Sequence, residues 1–171
     1  MSAQSLSQVL DLLKSDEEAS IGRWIDWLRI PSVSTDPKHA ADTRRAAEWA
    51  ADQLRQSGFE VQIRDAVAPD GKAGHPIVMA YAAGSPEYKG PHVLFYGHYD
   101  VQPADPIELW ESPPFEPVRK PAEEGGAGER IIARGAVDDK GQVMMFLEAM
   151  RAWHKTTGLA AGGVKMTVML E

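Results

Sequence analysis

"FYGHYDVQPADP", residues 95–106, starts as a buried strand and ends in a proline-rich loop, with His98 and Asp100 at the junction. Side chains alternate along a strand, so these two share one face while Tyr99 points to the other. In open α/β sheets, ligands collect outside the carboxyl ends of the strands, which is where this pair is predicted to lie. A metal-binding imidazole whose second ring nitrogen is held by a carboxylate is one economical use of it. A surface His-x-Asp pair with no such role would read the same way, so the pair alone decides nothing.

Upstream, "FEVQIRDAV" (59–67) alternates as a strand, and "HPIVMAYAAG" (75–84) and "PHVLFYGHYDV" (91–101) read as two more. "APDGKAG" (68–74) and "GSPEYKG" (84–90) supply turns between them. Leu6, Val9, Leu10 and Leu13 follow helical spacing, and after an acidic break at Asp16–Glu18 the pattern resumes with Ile21, Trp24, Ile25 and Leu28. These predict two helical segments or one bent helix before Pro31. Ala47, Ala50, Ala51 and Leu54 mark a third helix, closed by Gly58. Downstream, Pro103 to Gly128 is an extended surface connection with room for a hairpin, and "ERIIARGA" (129–136) is a short strand. "DDKGQVMMFLEAMRAWHKTTG" (138–158) is a helix, and "GGVKMTVMLE" (162–171) contains a last strand. Helices alternating with apolar strands predict an α/β, three-layer sandwich with a mixed, largely parallel central sheet.

Composition narrows the chemistry. The 171 residues, 43% of them hydrophobic, suit one domain with a real core. The 25 acidic and 18 basic residues give a formal charge of -7, which argues against nucleic acid and anionic membranes as partners. With no cysteine, disulfides are excluded and any metal must be held by imidazole and carboxylate. The first twenty residues lack a basic segment followed by an apolar one, and no apolar run reaches the ~18 residues of a membrane span. The expected compartment is the cytoplasm.

A second feature is "ARGAVDDKGQ" (133–142), where Asp138 and Asp139 sit between a strand and the start of a helix. Acidic residues there ordinarily cap free N–H groups and complement the helix dipole. Gly135 and Gly141 around them also allow close backbone approach to something bound. A carboxylate can bridge two cations ~3.5–4 Å apart, polarising a carbonyl and acidifying a shared water.

Taken together, these stretches resemble the zinc-dependent metallopeptidases that include carnosinases and other dipeptidases, aminoacylases, glutamate carboxypeptidases and succinyl-diaminopimelate desuccinylases. "LRIPSVSTDP" (28–37) resembles the N-terminal signature of that family, and "GHYDVQPADP" (97–106) its histidine-bearing strand. "WESPPFEP" (110–117) resembles the loop that follows, and "ARGAVDDKGQ" the bridging-aspartate motif. The wording of "DVQP" and "PPFEP" is most similar to the branch that cleaves dipeptides and small peptides. The resemblance implies that His98 ligates one of two divalent metal ions and that Asp138 bridges both. It makes Asp100 the active-site aspartate that orients His98, and Asp139 a supporting residue that shapes the turn. Spacing alone does not separate Asp138 from Asp139. The implied metal is zinc, with cobalt or manganese also compatible with nitrogen and oxygen donors.

The resemblance also implies that residues 1–171 are the N-terminal part of the catalytic domain. In the family, the strand matching "VKMTVMLE" runs on into a glycine, a variable residue and two glutamates, the first the general base and the second a ligand. Glu171 matches the glutamate before that glycine. The general base, the later ligands and the dimerisation domain are then expected to be absent, with a homodimer expected only for the full-length relative. The expected activity is metal-dependent hydrolysis of the amide bond of dipeptides or small peptides, with the 171-residue chain itself inert or nearly so. The alternative is a non-catalytic α/β binding or interaction module on the same scaffold. His39, His75, His92 and His154 show no carboxylate or histidine partner at ligand spacing and read as surface or packing residues. Trp24, Trp27 and Trp49 read as core, Trp110 and Phe115 as packing on the sheet or lining a cleft, and Glu123, Glu124 and Glu129 as a solvated loop.

Overall fold

The computed structural model describes residues 3–67, 69, 71–123 and 125–171, so Ala68 and Asp70 of the first turn and Glu124 of the acidic loop lie outside the described residues. Two helices open the chain, α1 (Ala3–Ser15) and α2 (Glu17–Leu28), broken at Asp16 where the acidic run interrupts the apolar pattern. Asp16 then serves as an anchor, accepting from Arg23 Nη2 at 2.7 Å. Ahead of α3 (Ala40–Gln56), Asp36 accepts the Lys38 N–H and so caps a short 3-10 turn over Pro37–His39. Alanines 46, 47, 50 and 51 are all 0% exposed, and their small side chains let α3 lie close against β1 (Glu60–Val67) and β2 (Ala73–Ala82).

The main sheet has the strand order β1-β2-β6-β3, with β3 at Val93–Gly97 and β6 at Met166–Leu170. It is mixed, as expected, but the weighting is the reverse of the expected one. β1 pairs antiparallel with β2, and β2 with β6; the β3–β6 pair is parallel. The reason is local: a short turn region joins β1 to β2 as a hairpin, and parallel neighbours need a long crossover. That crossover runs from β3 through the long connection and α4 (Lys140–Thr157) to β6. The connection itself contains the hairpin, β4 (Val118–Pro121) against β5 (Glu129–Ile132). Helix α4 ends on Gly158, whose left-handed φ of 74° returns an N–H to the His154 carbonyl.

One face of the sheet meets the helices. Val78, Val168 and Leu170 are fully buried there with Val143 and Leu147 of α4, and Phe95 of β3 stacks on Phe146. Trp27 is buried and stacks on Trp49, with its Nε1–H donated to the Ala46 carbonyl. On the opposite face Tyr81, Leu94 and Tyr96 are exposed, so of the three layers expected the described residues supply the sheet and one helical layer. No helix among the described residues is long and apolar enough to cross a membrane.

Candidate metal centre

Strand β3 delivers its side chains in alternation, and at its end His98 and Asp100 emerge on the open face while Tyr99 turns inward and is fully buried. The Tyr99 hydroxyl donates to the Pro76 carbonyl, which pins the strand exit against β2. The start of α4 comes close to this exit because Gly97 has no side chain. A Cβ there would lie 2.6 Å from Val143 Cγ2 and 3.1 Å from Asp139 Oδ2. Gly141 lets the start of α4 lie against the loop that precedes it, since a Cβ would fall 2.1 Å from the Ala136 carbonyl oxygen. The peptide bond between Asp138 and Asp139 is cis.

The structure brings all four sequence-predicted site residues together. His98 Nδ1 pairs with Asp100 Oδ1 at 2.9 Å, and Nε2 faces Asp138 Oδ1 at 3.1 Å. The His98 backbone N–H donates to Asp139 Oδ2 at 3.1 Å. Asp139 occupies the N-cap position of α4, but its side chain makes no capping hydrogen bond; it holds the histidine strand instead. Asp138 is 77% exposed at the side chain against 31% for His98, so the pair opens outward. Burial pushes the His98 imidazole towards its neutral form, but the hydrogen bond and charge of Asp100 and the charge of Asp139 outweigh it, and its pKa is raised.

The donor set fits a divalent cation. Two ligands each about 2 Å from a tetrahedral ion lie about 3.3 Å apart, and the His98 Nε2 to Asp138 Oδ1 separation is 3.1 Å. Asp100 on the far ring nitrogen supplies the carboxylate–histidine arrangement that fixes the tautomer of a ligating imidazole. Among the described residues, no three His, Cys, Asp or Glu side chains converge closely enough to enclose an ion.

Several residues of the site were not singled out from sequence. Ser34 Oγ donates to Asp100 Oδ2 at 2.5 Å, and His75 Nε2 pairs with the Ser34 carbonyl at 2.8 Å. Ser34, His75, Tyr96 and Glu171 line a cavity of about 380 Å³ with His98 and Asp100. His75 therefore belongs to the site's surroundings, and only its position on β2 opposite the loop reveals that. His39 corrects a second expectation: it has a carboxylate partner, Asp42, at 2.8 Å. The i, i+3 spacing of that pair on a helix start was a readable signal. His92 meets the Thr167 hydroxyl, and His154 packs beside Gly58. Trp110 donates to the Ala104 carbonyl and stacks under Arg134, within the long connection.

Residues 94–170 match the model of the peptidase family M20/M25/M40. The Beta-Ala-His dipeptidase of Rattus norvegicus is 32% identical over 156 residues, an overlap of 88% of this chain and 30% of that protein. The Cys-Gly metallodipeptidase dug1 of Schizosaccharomyces pombe is 31% identical over 163 residues, covering 93% of this chain and 32% of that protein. The solved structure of the dipeptidase Dug1p from Saccharomyces cerevisiae superposes with a TM-score of 0.81 at 28% identity, over 99% of this chain and 35% of that one. The chain thus spans about a third of the length of the relatives it matches. The paired motifs, the sheet topology and these likenesses agree: the chain resembles the M20/M25/M40 peptidases, whose family model matches its residues 94–170.

Proposed function

We propose that this chain supplies one side of the active site of a metal-dependent dipeptidase, and that the convergence of His98 Nε2 and Asp138 Oδ1 carries this reading. His98 and Asp138 would hold the metal, with Asp138 the carboxylate shared between two ions. Bound divalent ions, zinc first and cobalt or manganese next, would polarise the peptide carbonyl and acidify a water. The chain's own residues do the positioning. Asp100 accepts a hydrogen bond from His98 Nδ1–H and so aims Nε2 towards Asp138, while Asp139 fixes the backbone from which His98 projects. The open cavity between β2 and the β3 exit would receive a dipeptide or small peptide.

We assign the general-base role to none of the carboxylates of this group. Asp100 is engaged by His98 and Ser34, Asp139 by the His98 backbone, and Glu171 by the Tyr96 hydroxyl. The relatives are about three times as long, and we read the remaining ligands, the base and a dimer interface as belonging to that further length. On this reading residues 1–171 are the N-terminal part of the catalytic domain, and alone they do not turn over. The proposed setting is the cytoplasm, without nucleic acid or membrane partners. The two-ligand count is also what a non-catalytic α/β binding module on the same scaffold would show.

Hydrolysis of Cys-Gly and β-Ala-His with added zinc, cobalt or manganese separates the two. In the complete reading frame that contains this chain, His98→Ala and Asp138→Ala are each expected to lower metal-dependent turnover by more than about 100-fold. The 171-residue chain by itself is expected to show none. Turnover unaffected by either substitution, or absent from the complete protein, rejects the reading.

A further inference from the structure

One buried lysine near the site has no role in the dipeptidase reading. Lys140 follows the Asp138–Asp139 pair, is 0% exposed, and has no ion-pair partner among the described residues. Its Nζ donates to the carbonyls of Trp27 at 3.1 Å and Ile30 at 2.7 Å and lies 5.7 Å from the centre of the Trp27 ring. Burying an amine without an ion-pair partner is costly, and a methionine of similar length would fill the space. What the lysine adds is the pair of bonds to the end of α2.

The segment it grips continues into the other side of the site. Ser32 Oγ donates to the Tyr99 carbonyl at 2.6 Å, and the Val101 N–H to the Ser32 carbonyl at 2.9 Å. Val33 and Val101 form an isolated parallel bridge. Ser34 Oγ then reaches Asp100, which holds His98, whose backbone returns to Asp139. These bonds close a ring: α4 start, α2 end, the 31–34 segment, the β3 exit, and α4 again.

We propose that Lys140 and Ser34 are positioning residues of the metal centre: they clamp the 27–34 segment between the start of α4 and the exit of β3, and so set the separation of His98 from Asp138. The inference rests on the dipeptidase reading. Ser34 lines the cavity and acts on the metal centre through Asp100, whereas Lys140 is buried and acts through the backbone that carries Ser34. With the clamp released, the two loops that bear the ligands keep only direct ties such as the Asp139 bond to the His98 N–H, the His98–Asp138 contact and the Arg134 bond to the Pro103 carbonyl.

The test uses the complete reading frame with Ser34→Ala, Ser34→Thr, Lys140→Met and Lys140→Arg. Three quantities are read: manganese affinity by calorimetry, kcat against KM for a dipeptide, and the His98 ring ¹⁵N–¹H signals before any metal is added. Ser34→Ala and Lys140→Met are expected to weaken manganese binding about 10- to 100-fold. They lower kcat more than they raise KM and shift the His98 ring signals in metal-free protein, and Ser34→Thr restores all three. Variants that fold as the parent yet leave the ring signals and metal affinity unchanged overturn the clamp while the dipeptidase reading stands. A parent that neither binds metal nor hydrolyses dipeptide ends that reading, and shifted ring signals in the variants then still show the clamp. If Lys140→Met does not fold, the Ser34→Ala and Ser34→Thr pair decides.

Discussion

The two faces of the main sheet carry different burdens. On the helical face Val78, Val168 and Leu170 are 0% exposed and lie among α3 and α4 side chains, whereas on the other face Leu94 is 65% and Tyr96 52% exposed. His98 and Asp100 belong to the second face by simple alternation from Leu94 and Tyr96. Packing energy and site chemistry are thus separated by the thickness of one strand. A residue in β3 belongs to one or the other according to whether its number is odd or even. The practical lesson is that changes one residue apart should have effects of different kind as well as size.

The sharpest way to break this contrast is to remove side chains from each face in turn. Leu170→Ala, on the packed face, is expected to cost about 2–5 kcal/mol in urea unfolding, through lost burial and the cavity left behind. Gly141→Ala comes next: its added Cβ would meet the Ala136 carbonyl, a backbone atom that moves only with the α4 start. About 1–3 kcal/mol is expected, together with displaced His98 and Asp138 signals in NMR.

Between these and the open face stands an ion cluster that bonds α2 to α4. Arg23 reaches both oxygens of Glu148, at 2.7 and 2.6 Å, and Ser20 adds a third bond. Burial alone would raise the Glu148 pKa, but the bonds from Arg23 and Ser20 outweigh it and hold it below its ordinary value of 4.5. A carboxylate held low in the fold stabilises it fully above that ordinary value, and the contribution disappears as pH falls through the folded pKa. Glu148→Gln is therefore expected to cost about 1–3 kcal/mol at neutral pH. Acid titration of both proteins should show the difference shrinking below pH 4.5. The smallest effect belongs to the open face, where Leu94→Ala is expected to change stability by no more than about 0.5 kcal/mol. A loss near that of Leu170→Ala would mean that Leu94 is covered in the protein as it exists, and the contrast between the faces would fail.

Much of this arrangement was legible in the residue order, and for local reasons. Period-two alternation put His98 and Asp100 on one face, and period-3.6 spacing found α1 to α4, because both signals come from neighbours in the chain. The glycines beside the Asp138 loop suggest room for something bound; what the fold shows at Gly141 is a close internal contact with the Ala136 carbonyl. Strand pairing was not legible in the same way. β6 lies parallel to β3 and antiparallel to β2, and nothing within "VKMTVMLE" distinguishes those neighbours. Ser34 and Lys140 escaped notice for a related reason. Their partners are a carboxylate and two carbonyls brought close by the fold, and a serine in a proline-rich loop or a lysine at a helix start carries no local mark of them.

The strand order has a further consequence for how the molecule assembles. β6 follows every other strand of the main sheet in the chain, yet it sits between β2 and β3. During synthesis the β1–β2 hairpin can close early, while β3 and the histidine at its tip wait for residues 166–170 to emerge before they have a neighbour to join. Joining elements so distant in the chain is entropically slow. Until that last join, β3 and the β6-facing edge of β2 lack a partner, which makes the nascent chain prone to wrong associations that a chaperone would hold off.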